Sequence, residues 1–120
     1  MPYVRRHTRQ ILAAWRLDSI ADDIELVVSE IVTNAVRATL AQQAAAPVAL
    51  YLALERGRLY VLAWDCCPDL PVLCAHADDA ESGRGLELVA ALAADWGAWA
   101  APGGKVVFAM FELERHNPHE

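Results

Sequence analysis

The sequence predicts an α+β protein, a two-layer sandwich in which a mostly antiparallel sheet is covered on one face by about three helices. In three segments the apolar residues recur every three to four positions, which is typical of helices with one face on a core. Four further segments are short, apolar and β-prone, and each pair of them flanks a turn that contains glycine. The order is helix, helix, strand, strand, loop, helix, strand, strand, so the helices must cover the apolar face of the sheet.

The length and charge of the chain limit its organisation and its partners. Its 120 residues fit one domain over residues 1–120, and 56% hydrophobic with 22% charged residues is typical of a folded globule. The net charge of −6 and the pI near 5.1 disfavour binding to nucleic acid or to an anionic membrane, because both require a positive surface. No apolar run reaches the roughly 18 residues of a membrane span and no signal peptide opens the chain, so we expect a cytoplasmic protein.

The elements of the first half are predicted from periodicity and from residues that break helices. One helix is expected over residues 4–15. A longer helix is expected from a cap at Asp18 or Ser19 to about Gln43, and Pro47 then prevents its continuation, since proline disfavours helix in the residue before it. Two β-prone runs follow and form a hairpin with a glycine in its turn: residues 48–54 and 59–64.

The second half contains a long loop, a helix and a second hairpin. Residues 66–82 are acidic, aperiodic and interrupted by proline, which predicts a loop with room for a single helical turn. A third helix is expected from Leu86 to about Asp95, opened by a Gly-x-Gly segment. The remaining predicted parts are two strands and a frayed tail: residues 96–100, 105–113 and 115–120.

Two polar residues interrupt the apolar pattern of the second helix. Glu30 and Asn34 are four positions apart, so on a helix they project from the same face, one turn apart. A carboxylate and an amide together can hold a hydrated divalent cation, and the carboxylate can also orient or deprotonate an attacking hydroxyl or water. Taken alone, such a pair is more commonly the polar edge of an amphipathic helix.

Asp65 and the Gly-x-Gly segment are further candidates. Asp65 ends an apolar strand, where a carboxylate can accept a hydrogen bond from a ligand's amino group, although a lone aspartate there is more often a turn residue. Gly83 and Gly85 precede a predicted helix, whose free backbone N–H groups suit a phosphate. A single Gly-x-Gly is also common as a flexible helix start, so each feature gains weight only from the others.

Three cysteines within nine positions, followed by a histidine, raise the question of a metal or redox site. Their odd number and the lack of a secretion signal argue against a disulfide framework. The adjacent cysteine pair lacks the C-x-x-C spacing of common zinc sites, so free thiols in a partly buried loop are the favoured interpretation and zinc or redox chemistry is the alternative. The residues concerned are Cys66, Cys67, Cys74 and His76.

In this order, the candidate segments resemble the nucleotide-binding motifs of the GHKL ATPase and kinase superfamily, which shares the Bergerat ATP-binding fold. The segment ELVVSEIVTNAVR at residues 25–37 resembles the N box, the strand ending in Asp65 resembles the G1 box, and ESGRGLELV at residues 81–89 resembles the G2 box. The segment GGKVVF at residues 103–108 is similar to the Gly-Gly-Lys-Thr-Val-Trp strand of the anti-sigma-factor serine/threonine kinase branch. The resemblance covers about residues 5–113.

The resemblance implies a role for each matching position. Glu30 would be the general base that receives the proton of a serine hydroxyl, and Asn34 would ligate the Mg²⁺ that bridges the phosphates of ATP. Asp65 would bind the adenine amino group. Below a lid formed by about residues 72–82, the phosphates would be cradled by four consecutive residues: Gly83, Arg84, Gly85 and Leu86. These roles amount to positioning and charge neutralisation, the main demands of phosphoryl transfer.

The resemblance also implies an activity and partners. We expect an ATP-binding regulator that phosphorylates a serine or threonine of an anti-anti-sigma protein or sequesters a sigma factor, and a homodimer is compatible with this expectation. The alternative is a switch module that captures a partner protein without phosphotransfer. Two departures from the motifs keep that alternative open. Cys67 stands where the G1 box has glycine or serine, and the strand that usually precedes the first helix is absent from the sequence.

Overall fold

A computed structural model describes residues 2–43, 45–70 and 80–113, which form one layer of helices on one layer of sheet. The elements follow the predicted order and confirm the predicted α+β class. Among these residues no helix combines the length and the apolar character needed to cross a membrane. The elements are α1 Pro2–Ala14, a 3₁₀ turn Asp18–Ile20, α2 Ala21–Ala41, β1 Ala49–Glu55, β2 Arg58–Asp65, α3 Ala80–Leu92, β3 Asp95–Ala101 and β4 Gly104–Glu112.

The sheet consists of two hairpins joined along their inner strands. Its strand order is β1-β2-β4-β3, and each neighbouring pair is antiparallel. Arg56 and Gly57 connect β1 to β2 with φ of 53° and 76°, which is the positive-φ conformation of two-residue hairpin turns. Pro102 and Gly103 connect β3 to β4, and the φ of 75° at Gly103 fits the second central position of a type II turn. The β2 and β4 pairing places the end of β2 opposite the start of β4.

α2 is the central helix and contacts α1, α3 and the sheet. Its buried side chains recur every three to four residues, as the sequence predicted. They pack on alternate residues of the two inner strands, and burial of each larger aliphatic side chain stabilises the fold by about 1.5–3 kcal/mol. The core includes Ile24, Val27, Val28 and Ile31 of α2, Leu59, Val61 and Ala63 of β2, and Val107, Ala109 and Phe111 of β4.

Arg9 fixes α1 to the first turns of α2. Its guanidinium donates to Glu25 Oε2 and to Asp22 Oδ1, each at 2.7 Å. The hydrogen bond to Asp22, followed by that to Glu25, raises the pKa of Arg9. Because Arg9 is exposed, these ion pairs define the position of α1 more than they add stability. They also show that the flank of α2 that carries Glu25 is the one facing α1.

The predicted cap of the long helix is wrong. Asp18 and Ser19 lie in the 3₁₀ turn, and α2 begins at Ala21 after Ile20, which provides no side-chain cap. The N–H of Ile20 donates to the carbonyl of Leu17 at 3.2 Å, so the backbone of the turn itself leads into the helix. A local backbone bond has replaced the side-chain bond expected from Asp or Ser.

α3 ends earlier than predicted, because the residues after it form hydrogen bonds with the sheet. α3 ends at Leu92, and the N–H of Ala94 already donates to the carbonyl of Met110 on β4 at 2.8 Å. β3 therefore begins at Asp95 rather than after it. The predicted tail at residues 115–120 and most of the predicted lid lie outside the described residues.

The face of the sheet turned away from the helices is apolar. Within the described residues no helix covers it, and its side chains are half-buried or exposed. The rings of Trp99 and Phe108 contact each other with centroids 5.8 Å apart. The side chains on this open face are Tyr51, Tyr60, Leu62, Trp64, Trp99, Val106, Phe108 and Met110. The polar residues described next project to the opposite, helix-covered side of the sheet.

Candidate functional site

Asp65 is a fully buried carboxylate at the last position of β2. Its side chain lies on the helix-covered face, in the same alternation as the core residues of that strand. Oδ1 accepts hydrogen bonds from the backbone N–H of Cys67 and from Nζ of Lys105, both at 2.8 Å. Oδ2 is equally inaccessible to solvent, and among residues 2–43, 45–70 and 80–113 it has no hydrogen-bond partner. A buried acceptor without a partner costs about 1–3 kcal/mol, so Asp65 is poised for a ligand that donates a hydrogen bond.

Lys105 supplies the positive charge that balances Asp65. The two residues face each other in the β2 and β4 register, and Lys105 is 4% exposed. Besides Asp65 Oδ1, its ammonium donates to the backbone carbonyl of Cys67 at 3.3 Å. A buried charge is tolerated only when it is paired and hydrogen-bonded, and here both conditions hold. Through its bond to the carbonyl of Cys67, Lys105 also connects β4 to the segment that follows β2.

The burial of Lys105 predicts strong protection from amine-reactive reagents. Lys105 is the only lysine of the chain, so an acylating reagent has one side-chain target. We expect acetylation of Lys105 in the native protein to be about 100-fold slower than in the unfolded protein, because the ammonium must first leave its ion pair. Peptide mapping by mass spectrometry at several reagent times measures this rate. Equal rates in buffer and in guanidinium chloride would show that Lys105 is accessible.

Gly104 permits the close approach of β4 to the end of β2. A Cβ atom at Gly104 would lie 1.9 Å from the backbone oxygen of Asp65 and 2.9 Å from Cα of Cys66. Real Cβ atoms essentially never come so near to other heavy atoms, and the obstacle is backbone that cannot rotate away. Glycine is therefore required at this position for the strands to align Asp65 with Lys105.

Glu30 and Asn34 lie on α2, as predicted, and both are half-buried. At 100° per residue they are displaced about 140° and 180° around the helix from Glu25. Glu25 contacts α1 through Arg5 and Arg9, and α2 also packs against α3. Glu30 and Asn34 therefore occupy the flank away from α1, towards α3. The predicted placement of both residues on one helix is confirmed.

The Gly-x-Gly segment lies inside α3 and does not precede it. The predicted helix start at Leu86 is wrong, because α3 begins at Ala80 and so includes Gly83 and Gly85. In an α-helix only the first four N–H groups lack a partner within the helix, and these precede Gly85. Leu86 and Val89 are buried on the inner side of α3. The predicted phosphate-binding role of residues 83–86 is not tested by this arrangement and stays a prediction, and the side chain of Arg84 lies outside the described set.

A contact between α2 and the segment after β2 connects the two halves of the site. Gln42 caps the end of α2, and its Nε2 contacts Sγ of Cys67 at 3.6 Å. Eight residues, or about 12 Å of helix, separate Gln42 from Asn34. Asp65 thus lies near the C-terminal end of α2, and Glu30 and Asn34 lie further back along the same helix. This separation is on the scale of an extended nucleoside triphosphate.

Comparison with known families identifies the domain. The sequence model of the histidine kinase-like ATPase domain matches residues 1–111. The chain belongs to the histidine kinase-like ATPase domain family. No curated protein matches it significantly. Membership confirms the GHKL-type resemblance and the Bergerat-type sandwich, and it implies an ATP-binding regulatory domain, which typically uses Mg²⁺.

The chemistry of the residues around Asp65 fits the adenine base of ATP. The 6-amino group of adenine is a hydrogen-bond donor. Asp65 Oδ2 is a buried acceptor to which no described residue donates a hydrogen bond. The side chain of Cys67 is small enough to be buried beside Asp65, with 6% of the residue exposed. The backbone N–H of Cys67 donates to Asp65 Oδ1 and so orients the carboxylate. The departure from glycine or serine at this position therefore leaves the carboxylate in place.

The two described cysteines of the ATPase domain, Cys66 and Cys67, do not belong to a metal site within the described residues. Cys66 is half-buried and Cys67 buried, and both are free thiols. Among the residues whose placement is described, no group of three or more histidine, cysteine and acidic side chains could hold a metal ion. Cys74 and His76 lie outside that part of the chain, so the zinc alternative stays untested.

Lys105 and Gly104 are the site residues that sequence reasoning did not assign. Both belong to the segment that resembles a strand of the kinase branch, and the resemblance assigns neither of them a role. The signal was present, since Lys105 is a charged residue in the inward phase of β4, two positions before buried Val107. An inward charge in a buried strand requires a partner, and Asp65 ends the other buried strand.

Proposed function

We propose that this domain is an ATP-dependent regulator of the anti-sigma type, which phosphorylates a serine or threonine of an anti-anti-sigma protein. The same domain would sequester a sigma factor when it is not occupied with that substrate. The proposal combines family membership with the finer resemblance of residues 25–37 and 81–89 to the serine kinase branch. The net charge of −6 suits a partner with a basic patch.

The observation that carries the proposal is the unpartnered acceptor Oδ2 of Asp65. When one oxygen of a buried carboxylate has its hydrogen bonds and the other has none, the second oxygen does not stabilise the fold. It gains a hydrogen bond when a donor such as an exocyclic amino group arrives. Because hydrogen bonds to charged groups contribute about 1.5–3 kcal/mol, this contact alone favours binding by one to two orders of magnitude.

The chemistry then falls to Glu30 and Asn34. Glu30 would accept the proton of the acceptor hydroxyl while the hydroxyl oxygen bonds to the γ-phosphorus and the bond to ADP breaks. Asn34 would offer its amide oxygen to Mg²⁺, which supplies charge neutralisation when bound. Both side chains are half-buried, so they are shielded enough to be ordered and open enough to meet a ligand.

The helical state of the Gly-x-Gly segment favours a second candidate, a switch that captures a partner without phosphotransfer. α3 begins at Ala80, so the N–H of Gly85 falls within the hydrogen-bonded part of the helix. A domain that kept this helix intact would not cradle phosphates there. In that case Asp65 and the helical layer would serve a protein partner, and turnover would be absent.

Titration of ATP tests the nucleotide site directly. We expect the wild type to bind ATP with micromolar affinity in the presence of Mg²⁺ and more weakly without it. Asn34→Ala should weaken the Mg²⁺-dependent binding about 10-fold, because it removes the amide ligand. Isothermal titration calorimetry with and without Mg²⁺ measures both effects.

Ser29→Ala is the matched control for Asn34→Ala. Ser29 is half-buried on the same helix and lies about 140° around it from Asn34, so its loss removes a polar side chain away from the site. The control should bind ATP as the wild type does. Absence of ATP binding to the folded wild type would refute the proposed nucleotide function, and equal weakening in both variants would refute the role of Asn34.

A further inference from the structure

The arrangement around Asp65 assigns a role to Lys105 that neither the family match nor the sequence motifs provide. Carboxylate oxygens accept about two hydrogen bonds each. Oδ1 of Asp65 receives two, from Cys67 N–H and from Lys105 Nζ, and is saturated. Oδ2 receives none. The two donors therefore determine which oxygen is left for a ligand.

The hydrogen bond from Lys105 to the carbonyl of Cys67 holds the Asp65 carboxylate in the orientation that leaves Oδ2 unpartnered. The ammonium is anchored at two points, Asp65 Oδ1 at 2.8 Å and Cys67 O at 3.3 Å. Cys67 in turn donates its N–H to the same Oδ1. The carboxylate cannot turn over without breaking bonds to both partners, and 4% exposure of Lys105 means that little water can replace them.

The charge of Lys105 also determines what kind of ligand the vacant oxygen takes. The ammonium of Lys105 donates to Oδ1 as in an ion pair, and the ionised carboxylate of such a pair can only accept hydrogen bonds. A purine with an amino group at position 6 donates to such an oxygen. A purine with an oxo group at position 6 presents an acceptor there and is repelled, so the site discriminates by the group at position 6.

We propose that Lys105 is a positioning residue that presents Asp65 Oδ2 as the vacant acceptor and thereby makes the site selective for 6-amino over 6-oxo purine nucleotides. This inference rests on the proposed binding of ATP. It predicts that wild-type protein binds ATP about 100-fold more tightly than inosine triphosphate, in which an oxo group at position 6 and a proton on N1 replace the amino group and the free N1 of adenine. Lys105→Met, which keeps an unbranched side chain one atom shorter but removes the donor and the charge, should reduce this ratio to about 10-fold or less.

The test is the ratio of dissociation constants for the two nucleotides, measured by calorimetry with Mg²⁺ on wild type and Lys105→Met. A residue with only a structural role would change both affinities together and leave the ratio intact. Arg58→Met is the matched control, because Arg58 pairs with Glu112 at the opposite end of β2 from Asp65 and is exposed. It should keep the wild-type ratio. A folded Lys105→Met with an unchanged ratio would overturn the inference.

A measurement on the wild type covers the case in which Lys105→Met does not fold. Because Lys105 is the only lysine, protein labelled with ¹⁵N at lysine Nζ gives one side-chain ammonium signal in the NMR spectrum. Saturating ATP should shift this signal, and inosine triphosphate at the same occupancy should shift it differently. An unmoved signal at saturating ATP would exclude a role of Lys105 in the base site. Lack of ATP binding by calorimetry would instead refute the proposed function itself.

Discussion

Gly104→Ala is expected to destabilise the domain by about 3 kcal/mol and to abolish nucleotide binding. The added methyl group would lie 1.9 Å from the backbone oxygen of Asp65, so the first residues of β4 must move away from β2. That movement separates Lys105 from Asp65, which are paired across these two strands. At about 4–8 °C per kcal/mol for a domain near this size, the melting temperature should fall by more than 10 °C. Thermal unfolding followed by circular dichroism measures the change.

Gly97→Ala is the control for this prediction. A Cβ at Gly97 would lie 2.8 Å from the ring edge of Phe108 on the open face, and a ring can shift where a backbone oxygen cannot. The expected loss of stability is below that of Gly104→Ala, and ATP binding should survive, since β4 separates the strand of Gly97 from the strand of Asp65. If Gly104→Ala lost no more stability than Gly97→Ala, the strands would not be as tightly apposed as the structure has them.

The fold was predictable because its main signals are local. The apolar period of residues 21–41 requires only that one face of a helix meets a core, and the structure buries that face. The strands were placed to within about two residues by their β-prone runs and by Gly57 and Gly103, which both adopt positive φ. The predicted pairing of adjacent strands into hairpins is confirmed.

The errors lie where local signals compete. Asp18 and Ser19 are good capping residues, but both lie in a 3₁₀ turn. Ile20 therefore occupies the N-cap position of α2. The glycines at positions 83 and 85 disfavour helix by about 1 kcal/mol each relative to alanine, which suggested a helix start after them. Buried Leu86 and Val89 anchor α3 on the core, and such packing overrides propensity within a helix.

The candidate site was predictable in part. Glu30 and Asn34 were found because a helix converts a spacing of four into one face. The pairing of Asp65 with Lys105 was not found, because the two residues are 40 positions apart and only the register of β2 against β4 brings them together. Strand pairing between separate hairpins has no signal in local periodicity. An inward-phase charge at the end of each strand is the nearest available indication.

Glu30→Gln is expected to leave ATP binding within twofold of wild type and to reduce phosphotransfer about 1,000-fold. Glutamine has nearly the shape of glutamate, so the packing of this half-buried side chain on α2 is retained. It cannot accept the proton of the attacking hydroxyl, and general-base catalysis is worth about 10²–10⁴-fold. Transfer of γ-labelled phosphate to candidate anti-anti-sigma proteins measures the rate, and calorimetry measures the binding.

Glu87→Gln is the matched control, because Glu87 is an exposed carboxylate on α3 and the substitution makes the same change of charge. It should leave the transfer rate unchanged. Undiminished transfer by Glu30→Gln would assign the base to another residue. If the wild type bound ATP and transferred phosphate to none of the candidates, the capture of a partner without phosphotransfer would be favoured, since α3 then retains Gly85 within its hydrogen-bonded turns. Phosphate transfer by the wild type thus decides between the two functions that the site supports, and its loss in Glu30→Gln then assigns the base, because only phosphotransfer requires Glu30.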